Sequence, residues 1–403
     1  MRPVRGRKMI LDRLPAIDDF YQNYWGKRAF MVRGAIDEAL FETLIDGDEL
    51  AALSMEDELR SRLIISTAQD DGGVKWDCEH GPFAAERFAT LGDKNWSLIV
   101  QNVEQYHTDT ADLLNAFNFA PRWLMDDIMI SCSASGGSVG PHTDSYHVFL
   151  VQGQGKRRWR VGRTPLRQGR VSESEDHLVL QDGFKGDSYD VRMGDVIYIP
   201  PHFAHEGVTE EDAMTFSVGF LGPKISELMV EYGQYLEQQD EGFNLRYVGR
   251  GLDGQSAGRS ISHGAADDIK NALGDALNAE SFSNWLVQYF SLPSHTDRDD
   301  VIEAEEPLDE RGLAEILQSG GVLRCTSFAK TAMVKNDKGQ IKVLAIYGDD
   351  VTLADGAAAL IAALEGGENL SWGMLGRFGG WESHADFITL LYNKQYLEGA
   401  DDV

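Results

Sequence analysis

Cysteine is nearly missing from this 403-residue chain: the three present, Cys78, Cys132 and Cys325, lie far apart. Isolated thiols form neither a disulfide framework nor a paired zinc ribbon. Long apolar runs are lacking too. The longest, around Asp355 to Leu364, is Ala-rich and well short of the roughly 18–20 residues that a membrane helix needs. The basic start, Met1 to Lys8, is followed by no apolar segment, which argues against a secretory signal. Positive charge is scarce, with 37 Lys and Arg against 65 Asp and Glu and a formal net charge of −28. Such a surface repels nucleic-acid phosphates and attracts a basic partner, while adaptation to salt would give the same excess. The expectation is a cytoplasmic protein without a membrane segment. What is present is a core-forming composition, 42% hydrophobic and 10% aromatic. The length suits two or three domains of roughly 100–200 residues each.

The pattern changes twice along the chain. The first stretch alternates helix and strand, with apolar positions at Phe20, Tyr21 and Trp25 before a short strand Phe30 to Val32. From Asp126, the segments DDIMISCSAS, YHVFLVQG, KRRWRVG, DVIYIPP and MTFSVGF are short β-branched and aromatic runs divided by Gly and Pro. That is the signature of an all-β sandwich or barrel. After Gly222 the spacing becomes helical: Ile225, Leu228, Met229, Tyr232 and Leu236 share one face. A Gly- and Ser-containing loop, Gly249 to Gly264, leads to a second helical segment. Trp285, Tyr289 and Phe290 in that segment are candidates for an interface. An acidic stretch, PSHTDRDDVIEAEEPLDE, reads as a linker. Beyond it the order is helix, two strands (VLRCTSFAKTAMV and IKVLAIYG) joined by the polar turn KNDKGQ, then helices at Ala357 to Glu365 and His384 to Tyr396. This order suggests a compact domain like a winged helix.

The chemistry concentrates in GGSVGPHTDSYHVFLVQGQGKRRWRVG. His142 and Asp144 head a strand, where residues two apart share a face and can meet one ion. His205, in YIPPHFAHEGV, offers a third ligand from a distant strand. Two imidazoles and one carboxylate form the facial triad that suits Fe(II) and leaves coordination positions open. His147 is five residues from His142 and points to the other face of a regular strand, in a structural role. His202 lies on the same loop as His205, but the strand that follows favours His205. An open Fe(II) site needs a reductant such as 2-oxoglutarate, whose distal carboxylate requires a cation. Lys156, Arg157, Arg158 and Arg160 follow on the next strand segment, with Arg157 and Trp159 on one face and Arg158 and Arg160 on the other. A buried guanidinium holds a carboxylate bidentately. Spacing alone leaves the choice among the four open.

From Asp126 to Phe220 the sequence resembles the JmjC-type 2-oxoglutarate oxygenases. More narrowly, it resembles the bacterial ribosomal oxygenases that hydroxylate an arginine of large-subunit ribosomal protein sixteen. The resemblance is carried by DDIMIS, the His-x-Asp segment quoted above, GDVIYIPPHFAHEG and AMTFSVGF. It extends more weakly through Gly81 to Phe83 and Asn95 to His107, and past Gly222 only the order of elements agrees.

The resemblance implies an α+β protein with a double-stranded β-helix (jelly-roll, cupin/JmjC) core. It implies a JmjC catalytic domain over 1–222, with its jelly roll at about 120–222, a helical dimerisation region over 223–300 and a winged-helix-like domain over 301–403. The site it implies has His142, Asp144 and His205 on iron, with Arg157 and Ser131 on 2-oxoglutarate. Asp127, Met129, Tyr146 and Ser217 would cradle the substrate arginine, whose β-carbon is hydroxylated with dioxygen. The implied partners are a basic ribosomal protein and a second copy of the chain. The chain departs from the family at His147, where a relative carries an acid, and in the additional His202.

Three other readings share parts of this pattern. A JmjC histidine hydroxylase or lysine demethylase on another basic protein would differ only at the substrate rim. A cupin metalloenzyme would use the ligands without 2-oxoglutarate. A nucleic-acid-associated regulatory protein would need a basic recognition helix, and HADFITLLYNKQYLEG offers only Lys394 in its core.

Overall fold

The computed structural model describes residues 17–70, 72–166, 179–238, 246–292, 306–353 and 356–400. The basic start and most of the acidic linker lie outside them. The chain divides into two compact units, Met1–Gly222 and Pro223–Val403.

The first unit is built on nine strands: β1 (Phe30–Val32), β2 (Ser61–Ala68), β3 (Val74–His80), β4 (Trp96–Val100), β5 (Met125–Ser133), β6 (His147–Pro165), β7 (Gly186–Arg192), β8 (Val196–Ile199) and β9 (Phe203–Phe220). They form one antiparallel sheet in the order β1-β8-β6-β9-β5-β4-β2-β3, with β7 paired to β6. At 19 and 18 residues, β6 and β9 are far longer than ordinary strands. Their ladder shifts register four times, and each shift bends and twists the pair. One end of β6 pairs with β8 and the other with β7, so the sheet wraps into a barrel.

YHVFLVQG and KRRWRVG, read from sequence as separate strands, are therefore halves of one. The glycines between them bend the chain without turning it back. Gly155 has φ of +63°, and a Cβ there would lie 2.0 Å from the Asp212 carbonyl oxygen.

Alternation separates two apolar layers. Phe149 and Val151 join Tyr198, Phe216, Val218 and Phe220 on the outer face, which α1 (Ile17–Asn23) covers through the fully buried Phe20. Val148 and Leu150 point the other way, into the barrel, with Trp159, Val161, Ile197, Ile199 and Phe203. The strand Phe30–Val32 forms where the alternation places it.

In the second unit, helical spacing from Ile225 gives a helix at Ile225–Gln238, followed by helices at His263–Leu277, Ser281–Ser291 and Glu310–Gln318. The polar turn closes a hairpin between Thr331–Lys335 and Ile341–Ile346. Leu323–Cys325, at the start of the same sequence run, instead pairs with Leu397–Gly399. Helices at Ala357–Glu365 and Ala385–Asn393 complete the unit.

The helical region and the hairpin belong to one body here. Val287 packs with Ala332 and Ala345, and Gly348 N–H donates to Ser291 Oγ at 2.9 Å. Trp285 is buried against Tyr232 and Phe282 within this unit, so it is core and not open interface surface. Among the described residues, no helix is long and apolar enough to cross a membrane.

Candidate metal centre

His142 and Asp144 sit in the segment just before β6, not on the strand itself. What fixes them is a two-residue backbone bridge to β9. His142 N–H donates to the His205 carbonyl at 3.0 Å, and His205 N–H donates to the His142 carbonyl at 2.9 Å. The imidazole centroids are thereby 4.2 Å apart. Asp144 Oδ2 lies 3.3 Å from His205 Nε2 and 3.9 Å from His142 Nε2. One ligand atom from each of the three lies within 4.8 Å of the others.

The histidine tautomers are set from behind. Nδ1–H of His142 donates to the Gly140 carbonyl, and Nδ1–H of His205 to the Phe203 carbonyl, each at 2.9 Å. Each ring thereby turns its Nε2 toward the carboxylate, the nitrogen that a metal would take once its proton is displaced. Burial opposes charge on both sides of the pair. The bond between His205 and Asp144 outweighs it, raising the imidazole above its usual range and holding the carboxylate below.

His202 is exposed, with φ of +66°. Its backbone, not its ring, serves the site: its N–H donates to the Asp144 carbonyl at 2.6 Å. His147 faces the outer layer, as alternation demands. Its ring stacks on Trp25 at 3.8 Å, and its Nδ1 lies 2.8 Å from the Tyr198 hydroxyl.

Register carries the inner wall onward from the cluster. On β6 and β9, Val161 stands opposite His205, Trp159 opposite Gly207 and Arg157 opposite Thr209. Alternation thus settles which cation turns inward. Arg157 is 5% exposed, whereas Arg158 and Arg160 face outward and pair with Asp190, Glu210 and Glu206. Lys156 is also exposed, beside Glu211.

Arg157 donates to Ser131 Oγ at 3.1 Å, Ser133 Oγ at 2.5 Å and Thr209 Oγ1 at 3.1–3.2 Å. Its hydrogen-bond partners among the described residues are these three hydroxyls, with no carboxylate. Burial lowers its pKa to about 10, so it stays charged at neutral pH. A buried guanidinium served only by neutral acceptors is a site prepared for an incoming anion. Ser133 and Thr209 escaped the sequence reading because serine and threonine on strands are common.

The four residues expected at the substrate rim share this inner face. Met129 pairs with Ser217 and Ser131 with Thr215 across β5 and β9. A Cβ on Gly219 would lie 3.3 Å from Asp127 Oδ1 and 3.8 Å from the Tyr146 ring, so the glycine leaves room for both side chains. Burial pushes the Tyr146 phenol well above its usual value, and the fields of Asp144, Asp127 and Asp126 push it further. The carboxylates gathered there suit a cation.

A jelly-roll barrel with two imidazoles and a carboxylate on its inner wall, and a buried arginine further along that wall, defines a cupin-type metal oxygenase fold. Residues 112–228 match the JmjC domain family. Over 312 residues the chain is 35% identical to the ribosomal protein uL16 3-hydroxylase of Escherichia coli (strain K12), covering 76% of this chain and 79% of that protein. It is 28% identical over 368 residues to a Haemophilus influenzae protein named "Probable ribosomal oxygenase", covering 88% and 87% of the two. The solved structure of YcfD, a ribosomal oxygenase from Escherichia coli, in complex with cobalt and 2-oxoglutarate superposes with a TM-score of 0.76 at 30% identity. That match covers 95% of this chain and 97% of the other. The chain belongs to the JmjC-type ribosomal oxygenase family.

Proposed function

We propose that the protein is an Fe(II)- and 2-oxoglutarate-dependent hydroxylase acting on the β-carbon of an arginine in large-subunit ribosomal protein sixteen. One relationship carries this reading: the His142–Asp144–His205 cluster shares an inner wall with Arg157, a buried cation whose hydrogen-bond partners among the described residues are hydroxyls. The metal centre fits three protein ligands on one face of an ion, with the other face left for cosubstrate and dioxygen. Iron held there supplies oxygen activation coupled to oxidative decarboxylation of 2-oxoglutarate.

The chain's own residues do the positioning. Arg157 and Ser131 take the distal carboxylate of the cosubstrate. Asp127 receives the substrate guanidinium, while Met129, Tyr146 and Ser217 wall its alkyl stem near the metal. A lysine ammonium would also answer the charge of Asp127. A planar guanidinium matches a carboxylate bidentately, and this favours arginine over lysine demethylation.

The net charge of −28 would steer a basic ribosomal protein toward the enzyme in the cytoplasm. The region 223–300 would serve dimerisation and 301–403 a winged-helix-like role in substrate handling. Ile225, Met229, Val230 and Leu273 are each more than half exposed on the helices Ile225–Gln238 and His263–Leu277, a surface suited to a second copy. Light scattering should return a dimer mass, and Met229→Asp should shift it toward monomer.

The deciding experiment incubates the protein with ribosomal protein sixteen, Fe(II) and 2-oxoglutarate under air. One arginine should gain the mass of a single oxygen atom, with stoichiometric succinate. Turnover on another basic protein, with none on this one, would assign a different substrate.

A further inference from the structure

We propose that Trp159 is an additional cosubstrate-binding residue, its indole N–H donating a hydrogen bond to a carboxylate oxygen of 2-oxoglutarate. The inference rests on the cofactor reading above and goes beyond the ligands and the Arg157 pair. Trp159 lies two residues from Arg157 on the inner face of β6, and two more bring the strand to Val161, opposite His205. A cosubstrate that spans the metal and Arg157 must pass over it. The distances agree: the indole centroid is 6.0 Å from the His205 ring, and the Arg157 Cζ is 5.7 Å from the indole ring.

The second observation is an unmet donor. Trp159 is 5% exposed, and its Nε1 is buried with no hydrogen-bond partner among the described residues. Native interiors rarely strand an N–H in this way, and an indole is normally chosen over a phenyl where its nitrogen has an acceptor. An apolar side chain would fill the barrel without a stranded donor. The ring is also held in place. Across the ladder sits Gly207, where a Cβ would come within 2.8 Å of the indole. That glycine leaves the space in which the large ring lies against β9.

The neighbouring hydroxyls already serve Arg157. The indole is thus a donor held in reserve on the wall that the cosubstrate would line. A second donor beside the arginine would also discriminate a dicarboxylate of the right length from shorter acids, because only the former reaches both the metal and these groups.

The test uses the full chain labelled with 15N-tryptophan and loaded with Zn(II), so that binding is read without turnover. Of the eight tryptophan indole signals, that of Trp159 is the one missing from Trp159→Phe. On titration with 2-oxoglutarate it should move downfield and become protected from solvent exchange. The Phe variant should bind 2-oxoglutarate about tenfold more weakly, the effect of one hydrogen bond to a charged acceptor, with unchanged Zn(II) affinity. If the wild type binds 2-oxoglutarate while the Trp159 signal stays still, the role of Trp159 is overturned and the cofactor reading survives. If the wild type binds none, both are overturned. Should the variant fail to fold by circular dichroism, Trp159→Tyr supplies the signal assignment and the affinity comparison in its place.

Discussion

Asp144 Oδ2 and His205 Nε2 stand 3.3 Å apart, although their residues come from opposite ends of the barrel's central strand pair. The backbone bridge between His142 and His205 brings them together. Asp144→Asn preserves that bridge and removes the charge. We expect Zn(II) or Fe(II) affinity to fall at least about a hundredfold, since loss of a partner behind a ligand alone costs about ten- to a hundredfold and here a ligand itself is changed. Calorimetric titration with metal checks this. Succinate production dependent on ribosomal protein sixteen should vanish with it, and wild-type turnover in this variant would remove the triad from the mechanism.

The hydroxyl-only surroundings of Arg157 give a second expectation. Arg157→Met retains much of the apolar stem and deletes the charge. The 2-oxoglutarate requirement should rise about tenfold to a hundredfold, since a charge-assisted bond contributes roughly 1.5–3 kcal/mol. Metal affinity should hold. Steady-state kinetics over a range of 2-oxoglutarate concentrations reads the change, and an unaltered requirement would show that another cation holds the carboxylate.

How far the sequence spoke depends on the range of the interaction. Alternation is local, so it put Arg157 and Trp159 on one face, Arg158 and Arg160 on the other, and His147 away from His142; which of the two faces turns inward is decided by the pairing with distant β9. The triad was legible for a different reason: few residue types ligate iron, and the His-x-Asp pair, common on its own, stands between a Gly-rich approach and a β-branched strand, with His205 after a turn-strand-proline run. The ligands were nevertheless placed on a strand when they precede it, because the bridge that orders them joins His142 to a residue on distant β9. Continuity of β6 through Gly153 and Gly155 was equally hidden, since glycine before a polar pair reads as a turn. Ser133 and Thr209 were invisible as partners of Arg157, as cross-strand register lies outside any short window.

The hidden bend yields its own prediction. Gly155→Ala would set a Cβ about 2 Å from the Asp212 carbonyl oxygen, at φ of +63°. The atoms in the way are backbone of Asp212 and Glu211 on β9, so no side-chain rotation gives relief. We expect a stability loss of about 3 kcal/mol, the scale of forced backbone strain. It should appear as a lower urea midpoint with an unchanged slope. Circular dichroism follows the transition, and a wild-type midpoint would mean that the ladder can shift to admit the methyl group.

His147 supplies an acid-sensitive element away from the metal. Its ring lies flat on Trp25, and its Nδ1 accepts from the Tyr198 hydroxyl, which itself accepts from the Gly26 N–H at 2.8 Å. Burial lowers its pKa to about 4, against roughly 6.5 in an unfolded chain. Above about pH 6.5 both states are neutral and the contribution is complete. Between there and about pH 4 the unfolded chain takes up the proton first, so stability falls as pH falls; below that window the loss levels off. Allowing for partial exposure, the loss is about 2 kcal/mol. His147→Phe keeps the stack on Trp25 and removes the titration. The variant should be less stable than the wild type at pH 7, and the gap should narrow by about that amount on going to pH 4.5. Urea unfolding at the two pH values measures it. A gap that stays constant would mean that His147 titrates alike in the folded and unfolded chains, and acid sensitivity would then belong to the carboxylates alone.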